Sequence, residues 1–216
     1  MIAAIFDIDG TLFPAKHSSD FLFFQYLFRK KILGLSALFR TFFHIIQNIP
    51  RGNDYMIKKN HAYLKNINKK KVEDLTEQFF SEEIRPLIKQ SSYKLIKEHQ
   101  SQGHYIILLS AALQPLVDLW KEEFEADEGI GTVVGVEGGN FTGEIVGEHP
   151  FGIGKKYWLE YIQKKYNLNF SRCYGYGDHF SDRFFLEQVG NPIAVKPDKK
   201  MRAYAIEKKW LITDSL

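Results

Sequence analysis

The chain has a single cysteine, Cys173, among its 216 residues. One thiol cannot form a disulfide within the chain, so the fold does not rest on oxidised cross-links. A reducing compartment fits this composition best, and we expect a cytoplasmic protein. The first residues also lack a basic stretch followed by a long apolar run. We therefore expect no secretory leader there.

Long hydrophobic runs are also absent. The most apolar region, residues 21–49, is interrupted by Arg29-Lys30-Lys31 and by Arg40. No uninterrupted span of about 18 apolar residues remains, which argues against a membrane-spanning helix. An excess of one charge is lacking too, because the formal net charge of +3 is spread over many lysines that alternate with glutamates. We therefore expect no nucleic-acid partner.

What the chain does contain is a globular composition, with 44% apolar and 25% charged residues. Short apolar runs typical of strands buried on both faces of a parallel sheet occur at residues 2–6, 105–109, 173–176 and 193–195. Helical patterns lie between them, at residues 86–100, 115–123, 155–166 and 181–189. Strands that alternate with helices predict an α/β fold, an open parallel sheet flanked by helices.

Two segments depart from this alternation. A pair of strand-like runs joined by a Gly-Gly-Asn turn predicts a β-hairpin, at residues 132–137 and 141–146. Residues 16–84 show only helical patterns, at 20–31, 36–47, 55–64 and 71–81. We therefore predict two domains, a core made of residues 1–15 and 85–216 and a helical cap made of residues 16–84.

Polar side chains follow the predicted strands at the point where each strand ends. Asp7 and Asp9 follow the first strand, and Ser110 and Asp178 follow two others. The carboxyl ends of parallel strands meet in one crevice, where ligands bind. Asp7 and Asp9 point the same way if the strand persists, a spacing that suits one metal ion. With Asp178 as a third carboxylate, the sequence predicts a magnesium site.

Ser110 and Lys155 add hydrogen-bond donors, which a cluster of carboxylates lacks. Such donors bind an anionic group that carboxylates alone would repel, and a phosphoryl group meets this requirement. Each residue has a simpler explanation when it is taken alone. Asp7-Ile-Asp-Gly-Thr11 would be a polar turn, Ser110 and Gly177-Asp178 would cap helices, and Lys155 would be a solvated lysine like Lys156. The combination favours the phosphoryl site.

The set Asp7-Ile-Asp9-Gly-Thr11, Ser110, Lys155 and Gly177-Asp178 with Asp182 resembles the motifs of the haloacid dehalogenase-like (HAD) superfamily. The motifs follow the right order over essentially the whole chain. The helical insertion resembles the C1 cap of that superfamily, and residues 191–198 are similar to the end of its phosphoserine-phosphatase-like branch, subfamily IB. The resemblance implies a Rossmann-like core and a magnesium-dependent phosphatase.

The resemblance also implies the chemistry of the first two carboxylates. Asp7 would attack phosphorus and form an aspartyl-phosphate. Asp9 would act first as general acid on the leaving oxygen and then as general base on water. Dehalogenases of the superfamily lack a carboxylate at the position of Asp9, and its transport ATPases carry threonine there. Asp9 therefore favours a phosphatase or a phosphomutase, and of these two we expect a phosphatase.

The same resemblance assigns the binding groups. The ligands of Mg²⁺ would be Asp7, the backbone carbonyl of Asp9, and Asp178. The groups on the phosphoryl oxygens would be Ser110, the backbone N–H of Ala111, and Lys155. Asp182 would orient either the waters of the metal or the side chain of Lys155. The implied partner is a small-molecule phosphate ester.

Two positions bear on the substrate. Phosphoserine phosphatases carry a glutamate nine residues after the nucleophile and an arginine in the cap, which read the ammonium and the carboxylate of the substrate. In this chain Lys16 stands at the first position, and an ungapped comparison places Asn60 at the second. Both departures count against phosphoserine, and Lys16 suggests a substrate with a second negative group or simply points into solvent.

We therefore expect a small phosphorylated metabolite as substrate and keep three alternatives. The first is phosphoserine. The second is a lipid phosphate, for which phenylalanines of the cap, aided by Arg29-Lys30-Lys31, would form an apolar pocket or a membrane-facing surface. Packing of the cap core is the simpler explanation of these seven phenylalanines: Phe21, Phe23, Phe24, Phe28, Phe39, Phe42 and Phe43. The third is a catalytically silent binding protein on the same fold. The sequence does not indicate an oligomeric state.

Overall fold

The computed structural model describes residues 1–14, 18–48 and 61–214. Its strands are β1 (Ala3–Phe6), β2 (Tyr105–Leu113), β3 (Glu128–Thr132), β4 (Val134–Glu137), β5 (Asn140–Ile145), β6 (Tyr174–Gly177), β7 (Asn191–Val195) and β8 (Leu211–Thr213). Six of them form one sheet in the order β3-β2-β1-β6-β7-β8, and every neighbouring pair is parallel. β4 and β5 form a separate antiparallel pair. The predicted parallel sheet and hairpin are confirmed.

The helices are α1 (Ser19–Arg29), α2 (Leu35–Asn48), α3 (Lys69–Phe79), α4 (Gln90–Ser101), α5 (Gln114–Glu123), α6 (Ile153–Tyr166), α7 (Arg183–Leu186) and α8 (Lys199–Lys208). A short 3₁₀ turn, Ala62–Leu64, precedes α3. The predicted helix over 55–64 lies mostly outside the described residues. None of the helices in the described ranges combines the length and the apolar character that crossing a bilayer requires.

Side-chain alternation along β1 divides the apolar interior into two layers. Ala4 and Phe6 belong to one buried cluster, whereas Ala3 and Ile5 belong to a second cluster. Successive residues of a strand point to opposite faces of the sheet, so the two clusters lie on its two sides. The sheet is therefore covered on both faces, as its continuous apolar strands indicate.

Helices α1 and α3, which belong to the predicted cap, contribute side chains to the first of these two clusters. Phe23 of α1 and Phe79 of α3 are fully buried in the cluster that also contains Phe6. The hairpin joins the cap, because Asn66 N–H donates to the carbonyl of Phe141 and Phe141 N–H donates to that of Ile67. The predicted cap is thus attached to the sheet through apolar packing and to the β4–β5 hairpin through backbone hydrogen bonds.

Not all phenylalanines of the predicted cap are buried. Phe23 is buried, but Phe39, Phe42 and Phe43 on α2 are exposed by 61% or more. Their spacing, with Ile46 one turn further, places them on one face of the helix. Packing within the described part of the cap therefore accounts for the buried Phe23. It does not account for the exposed apolar face of α2.

Two strands of the sheet are not predicted by the sequence. β3 reads Glu-Gly-Ile-Gly-Thr, and glycine lowers the strand signal. A Cβ at Gly131 would lie 2.8 Å from the carbonyl oxygen of Ala112, so the glycine lets strand and loop approach closely. β8 contains three residues at the sheet edge, too few for a periodic pattern.

Candidate active site

The central strands bring the predicted site residues together. β2, β1 and β6 are neighbours in the sheet, and their carboxyl ends form one wall of a cavity of about 490 Å³. The residues of the sequence motifs that line this cavity are Asp7, Asp9, Ser110, Ala111, Lys155, Asp178 and Asp182. Residues that lie far apart in the sequence, from Asp7 to Asp182, thus share one site.

Lys155, in the first turn of α6, is buried between two carboxylates. Its Nζ lies 2.5 Å from Oδ1 of Asp7 and 2.7 Å from Oδ1 of Asp182, and the residue is 1% exposed. An isolated ammonium group would be strongly unfavourable at such a depth, and the two carboxylates compensate for it. The geometry therefore places Lys155 rather than its neighbour Lys156 in the cavity.

Burial and charge set the protonation of this group of residues. Burial raises the pKa of Asp7 to about 6; the ammonium of Lys155 opposes this shift, and the carboxylate of Asp182 adds to it. Burial lowers the pKa of Lys155, but the charges of Asp182 and Asp7 outweigh that effect and raise its pKa above the ordinary value. Lys155 therefore stays cationic, and its charge favours the anionic form of Asp7.

Three carboxylates of the cavity are close enough to share a cation. Oxygen atoms of Asp7, Asp178 and Asp182 lie within 4.8 Å of one another. Hard cations such as Mg²⁺ take oxygen ligands of this type. The donor set therefore fits a magnesium ion.

Gly10 allows the first motif to turn beside Asp178. Its φ is +94°, a conformation that favours glycine. A Cβ at this position would lie 2.1 Å from Oδ2 of Asp178, so there is no space for a side chain. Thr11 Oγ1 lies 3.5 Å from the other oxygen, Oδ1. The turn after β1 therefore fits around the Asp178 carboxylate.

We expect Gly10→Ala to lower kcat by at least about a hundredfold, because the added methyl group displaces Asp178 and strains the turn. Steady-state assays with p-nitrophenyl phosphate measure this loss. Gly34 is a suitable control, since a Cβ there meets nothing within 4 Å, and Gly34→Ala is expected to keep full activity. Equal activities of the two variants would contradict the importance of this close approach.

The carboxylate of Asp9 is held by the start of the cap. Ser19 donates to it twice, from the backbone N–H at 2.9 Å and from Oγ at 3.1 Å. Ser18 caps the same helix and accepts from the N–H of Phe21. The start of α1 therefore holds the Asp9 carboxyl group in a fixed position in the cavity. Ser19 was not predicted as a site residue, although two consecutive serines before a helical pattern mark a helix start.

Ser110 and Ala111 lie where β2 becomes irregular. The register between β2 and β3 shifts between Leu109 and Leu113, and Ser110 is 1% exposed. α5 begins only at Gln114, so Ser110 does not cap that helix. Such irregularities in strands redirect groups toward a site.

The loop after β6 is fixed from two sides. Oδ2 of Asp182 accepts from the N–H of His179 at 3.0 Å, so this carboxylate caps its own turn as well as binding Lys155. Asp198 accepts from the N–H of Phe180 at 2.9 Å and donates its own N–H to the carbonyl of Asp178. The sequence analysis assigned no role to Asp198, since its contacts arise only in the folded chain.

The remaining wall of the cavity comes largely from the cap. Its lining residues there are Asp20, Phe21, Phe24, Thr41, His61 and Tyr63. Phe21 and Phe24 belong to the phenylalanines that the sequence assigns either to the cap core or to an apolar pocket. The other four were not predicted, because no motif spacing links α1, α2 and the 3₁₀ turn. Lys16 and Asn60, the predicted specificity residues, lie outside the described residues.

Comparison with known proteins gives a family for the chain. The model of the haloacid dehalogenase-like hydrolase family matches residues 4–187. A protein from Streptomyces azureus, named for the inhibition of morphological differentiation, is 31% identical over 98% of this chain and 78% of its own length. A phosphoserine phosphatase from Mycobacterium tuberculosis is 27% identical over 98% of this chain and 70% of its own length.

Two further similarities cover nearly the full length of both proteins. A histidinol-phosphatase from Neisseria meningitidis is 28% identical over 96% of each chain. A crystal structure of a protein of unknown function from Bordetella pertussis superposes with a TM-score of 0.85 at 24% identity, covering 99% of this chain and 98% of that one. The chain therefore belongs to the haloacid dehalogenase-like hydrolases.

Proposed function

We propose that this chain hydrolyses the phosphate monoester of a small metabolite with the help of Mg²⁺, through an aspartyl-phosphate on Asp7. One observation carries the proposal: the Asp7 carboxylate is buried beside an ammonium group, and Asp9 lines the same cavity. An activated carboxylate next to a second carboxylate is the arrangement that a two-step transfer requires.

The ligands of the cation would be Asp7, Asp178 and the backbone carbonyl of Asp9. Asp182 would orient the side chain of Lys155. Carboxylate oxygens of Asp7 and Asp178 lie within 4.8 Å of each other, which supports these two ligands. When bound, Mg²⁺ would screen the negative charges that otherwise keep an anionic nucleophile from an anionic phosphoryl group.

In the first step, an Asp7 oxygen forms a bond to phosphorus and the bond between phosphorus and the ester oxygen breaks. The ester oxygen keeps the electron pair and takes a proton from Asp9. In the second step, Asp9 takes a proton from water, the water oxygen bonds to phosphorus, and the bond from phosphorus to Asp7 breaks. Asp9 thereby returns to its first protonation state, and Ser19 keeps its carboxylate in place throughout.

The phosphoryl oxygens would be bound by Ser110, the backbone N–H of Ala111, and Lys155. All three residues line the cavity, and the ammonium group of Lys155 is held in place by Asp7 and Asp182. Fixed donors need no reorganisation as charge moves onto the phosphoryl group. We further propose that residues 16–84 act as a cap that closes this cavity from water, over a core of residues 1–15 and 85–216. A reducing, cytoplasmic location remains a prediction.

The relatives of this chain are named for different substrates. Relatives of nearly equal identity are named for phosphoserine and for histidinol phosphate. Lys16 and Asn60 depart from the pattern of phosphoserine phosphatases, which favours a different small phosphate ester. A preference for phosphoserine over other esters would overturn this choice.

A lipid phosphate is a second candidate, because Phe39, Phe42 and Phe43 are exposed on α2. A face of this kind fits the interface of a membrane. Retention on liposomes, together with faster hydrolysis of lysophosphatidate than of small esters, would establish it. If neither is observed, the small metabolite stands.

Removal of the metal tests the proposed activity. We expect turnover of p-nitrophenyl phosphate to fall at least about a hundredfold in EDTA and to return on addition of excess Mg²⁺. Circular dichroism in EDTA checks that the fold persists. Full turnover in EDTA would contradict the metal assignment, and no turnover under any metal condition would favour a silent binding protein.

A further inference from the structure

The cap wall of the cavity contains a polar group that the proposed chemistry does not use. Asp20 lies near the start of α1, and its Oδ1 accepts from the N–H of Leu113 at 3.0 Å. Its other oxygen, Oδ2, lies 3.3 Å from Nε2 of His61. The carboxylate is therefore fixed between the end of β2 and the cap, with its side chain 21% exposed.

Two polar atoms beside Asp20 are buried without a partner. Within residues 1–14, 18–48 and 61–214, His61 Nδ1 and Tyr63 OH form no hydrogen bond. The two residues are 2% and 4% exposed, and both line the cavity. A buried polar atom is unfavourable unless it is paired, so a ligand in the cavity is the natural partner for these atoms.

The chemistry of these atoms favours a hydrogen-bond donor. A carboxylate only accepts, so Nε2 of His61 carries the hydrogen that faces Asp20. In the tautomer that carries this one hydrogen, Nδ1 is an acceptor. Burial, together with the charge of Asp20, raises the pKa of Tyr63 well above its usual range. Tyr63 therefore remains a phenol whose oxygen also accepts.

Aromatic rings complete this end of the cavity. Phe21, Phe24 and Tyr63 line it, and the ring of Phe24 meets that of Tyr63 edge to face at 5.2 Å between centroids. The faces of aromatic rings attract organic cations. One carboxylate, two acceptor atoms and aromatic rings together match an ammonium group.

We propose that the substrate is the phosphate monoester of an amino alcohol, and that its ammonium group binds Asp20, His61 Nδ1 and Tyr63 OH. This proposal rests on the proposed phosphatase activity. A substrate that also carries a carboxylate fits less well, because Lys155, the lysine among the described lining residues, binds Asp7 and Asp182 and would donate its remaining hydrogen to the phosphoryl group.

The test compares esters that differ in this one charge. We would measure kcat/KM for 2-aminoethyl phosphate, for its neutral analogue propyl phosphate, for phosphoserine, and for p-nitrophenyl phosphate as a reference. The wild-type protein is expected to prefer 2-aminoethyl phosphate to propyl phosphate by at least about tenfold, and to phosphoserine as well. A preference for propyl phosphate or for phosphoserine would overturn the proposal.

Two variants test whether the cap residues of the cavity cause the preference for 2-aminoethyl phosphate over propyl phosphate. Asp20→Asn keeps an acceptor for Leu113 and is expected to reduce the preference to within about twofold, since the charge that attracts the ammonium is lost. Tyr63→Phe removes one oxygen atom, is expected to lower the preference by about threefold or more, and carries the test if Asp20→Asn fails to fold. The matched control is Asp118→Asn, which makes the same change at an exposed position of α5 and should preserve the preference.

The outcomes separate this proposal from the one on which it rests. Normal hydrolysis of p-nitrophenyl phosphate with no preference for the amino ester, or an unchanged preference in both variants, overturns the ammonium subsite and leaves the phosphatase activity standing. Absence of hydrolysis of every ester, p-nitrophenyl phosphate included, overturns the phosphatase activity and the subsite with it.

Discussion

Replacing Asp7 with asparagine is expected to lower kcat for p-nitrophenyl phosphate by at least about a thousandfold. The amide has nearly the shape of the carboxylate but no anionic oxygen for attack on phosphorus. Its oxygen still accepts from Lys155, so the fold should persist. Steady-state kinetics with excess Mg²⁺ measure the loss, and the same preparation is checked by thermal unfolding.

The matched control for this variant is again Asp118→Asn, which removes a charge at an exposed residue that is not among the lining residues of the cavity. It should keep wild-type kcat, which shows that the loss at Asp7 is not a general effect of losing one carboxylate. Turnover of Asp7→Asn within about tenfold of the wild type, after exclusion of deamidation back to Asp by mass spectrometry, would contradict a nucleophilic role.

Replacing Lys155 with methionine is expected to reduce the free energy of unfolding by about 3–5 kcal/mol, measured in EDTA by urea denaturation. Methionine fills a similar volume but leaves the carboxylates of Asp7 and Asp182 buried without their shared cation. Removing one partner of a buried ion pair leaves an uncompensated charge, which costs more than the pair contributed. Turnover should be lost as well, because the phosphoryl group loses a donor.

Two variants give this prediction a sharp control. Lys156→Met makes the same substitution one position along α6, at a half-buried lysine, and is expected to change stability by less than about 1 kcal/mol. Adding Asp182→Asn to Lys155→Met should recover part of the loss, because one of the unpaired charges is then removed. Equal unfolding midpoints for Lys155→Met and Lys156→Met would contradict the ion-pair account.

Much of the fold can be predicted because its strands are buried on both faces. Continuous apolar runs such as Tyr105 to Leu109 are a strong local signal. The signal fails where packing needs small residues, as at Gly131 of β3, or where a strand is a short edge, as in β8. In both cases the strand is specified by its neighbours in the sheet and not by its own residues.

The candidate site likewise has a part that the sequence predicts and a part that it does not. Asp7, Ser110 and Asp178 follow strand ends, so sheet topology alone brings them together. Ser19 and Asp198 act through hydrogen bonds to atoms distant in sequence. Asp20, His61 and Tyr63 meet only because separate segments of the cap pack against one another, and tertiary packing of this kind leaves no spacing in the sequence.

The phosphoenzyme tests the central claim most directly. Asp9→Asn should still be phosphorylated by p-nitrophenyl phosphate, whose leaving group needs little protonation, but should lose the base that activates water. Acid quenching during turnover, followed by borohydride reduction and peptide mass spectrometry, locates an acyl phosphate. The account predicts that the phosphoryl group accumulates on Asp7, which borohydride converts to homoserine. Phosphate on another side chain, or no phosphoenzyme in Asp9→Asn while p-nitrophenol is released in a burst, would contradict it.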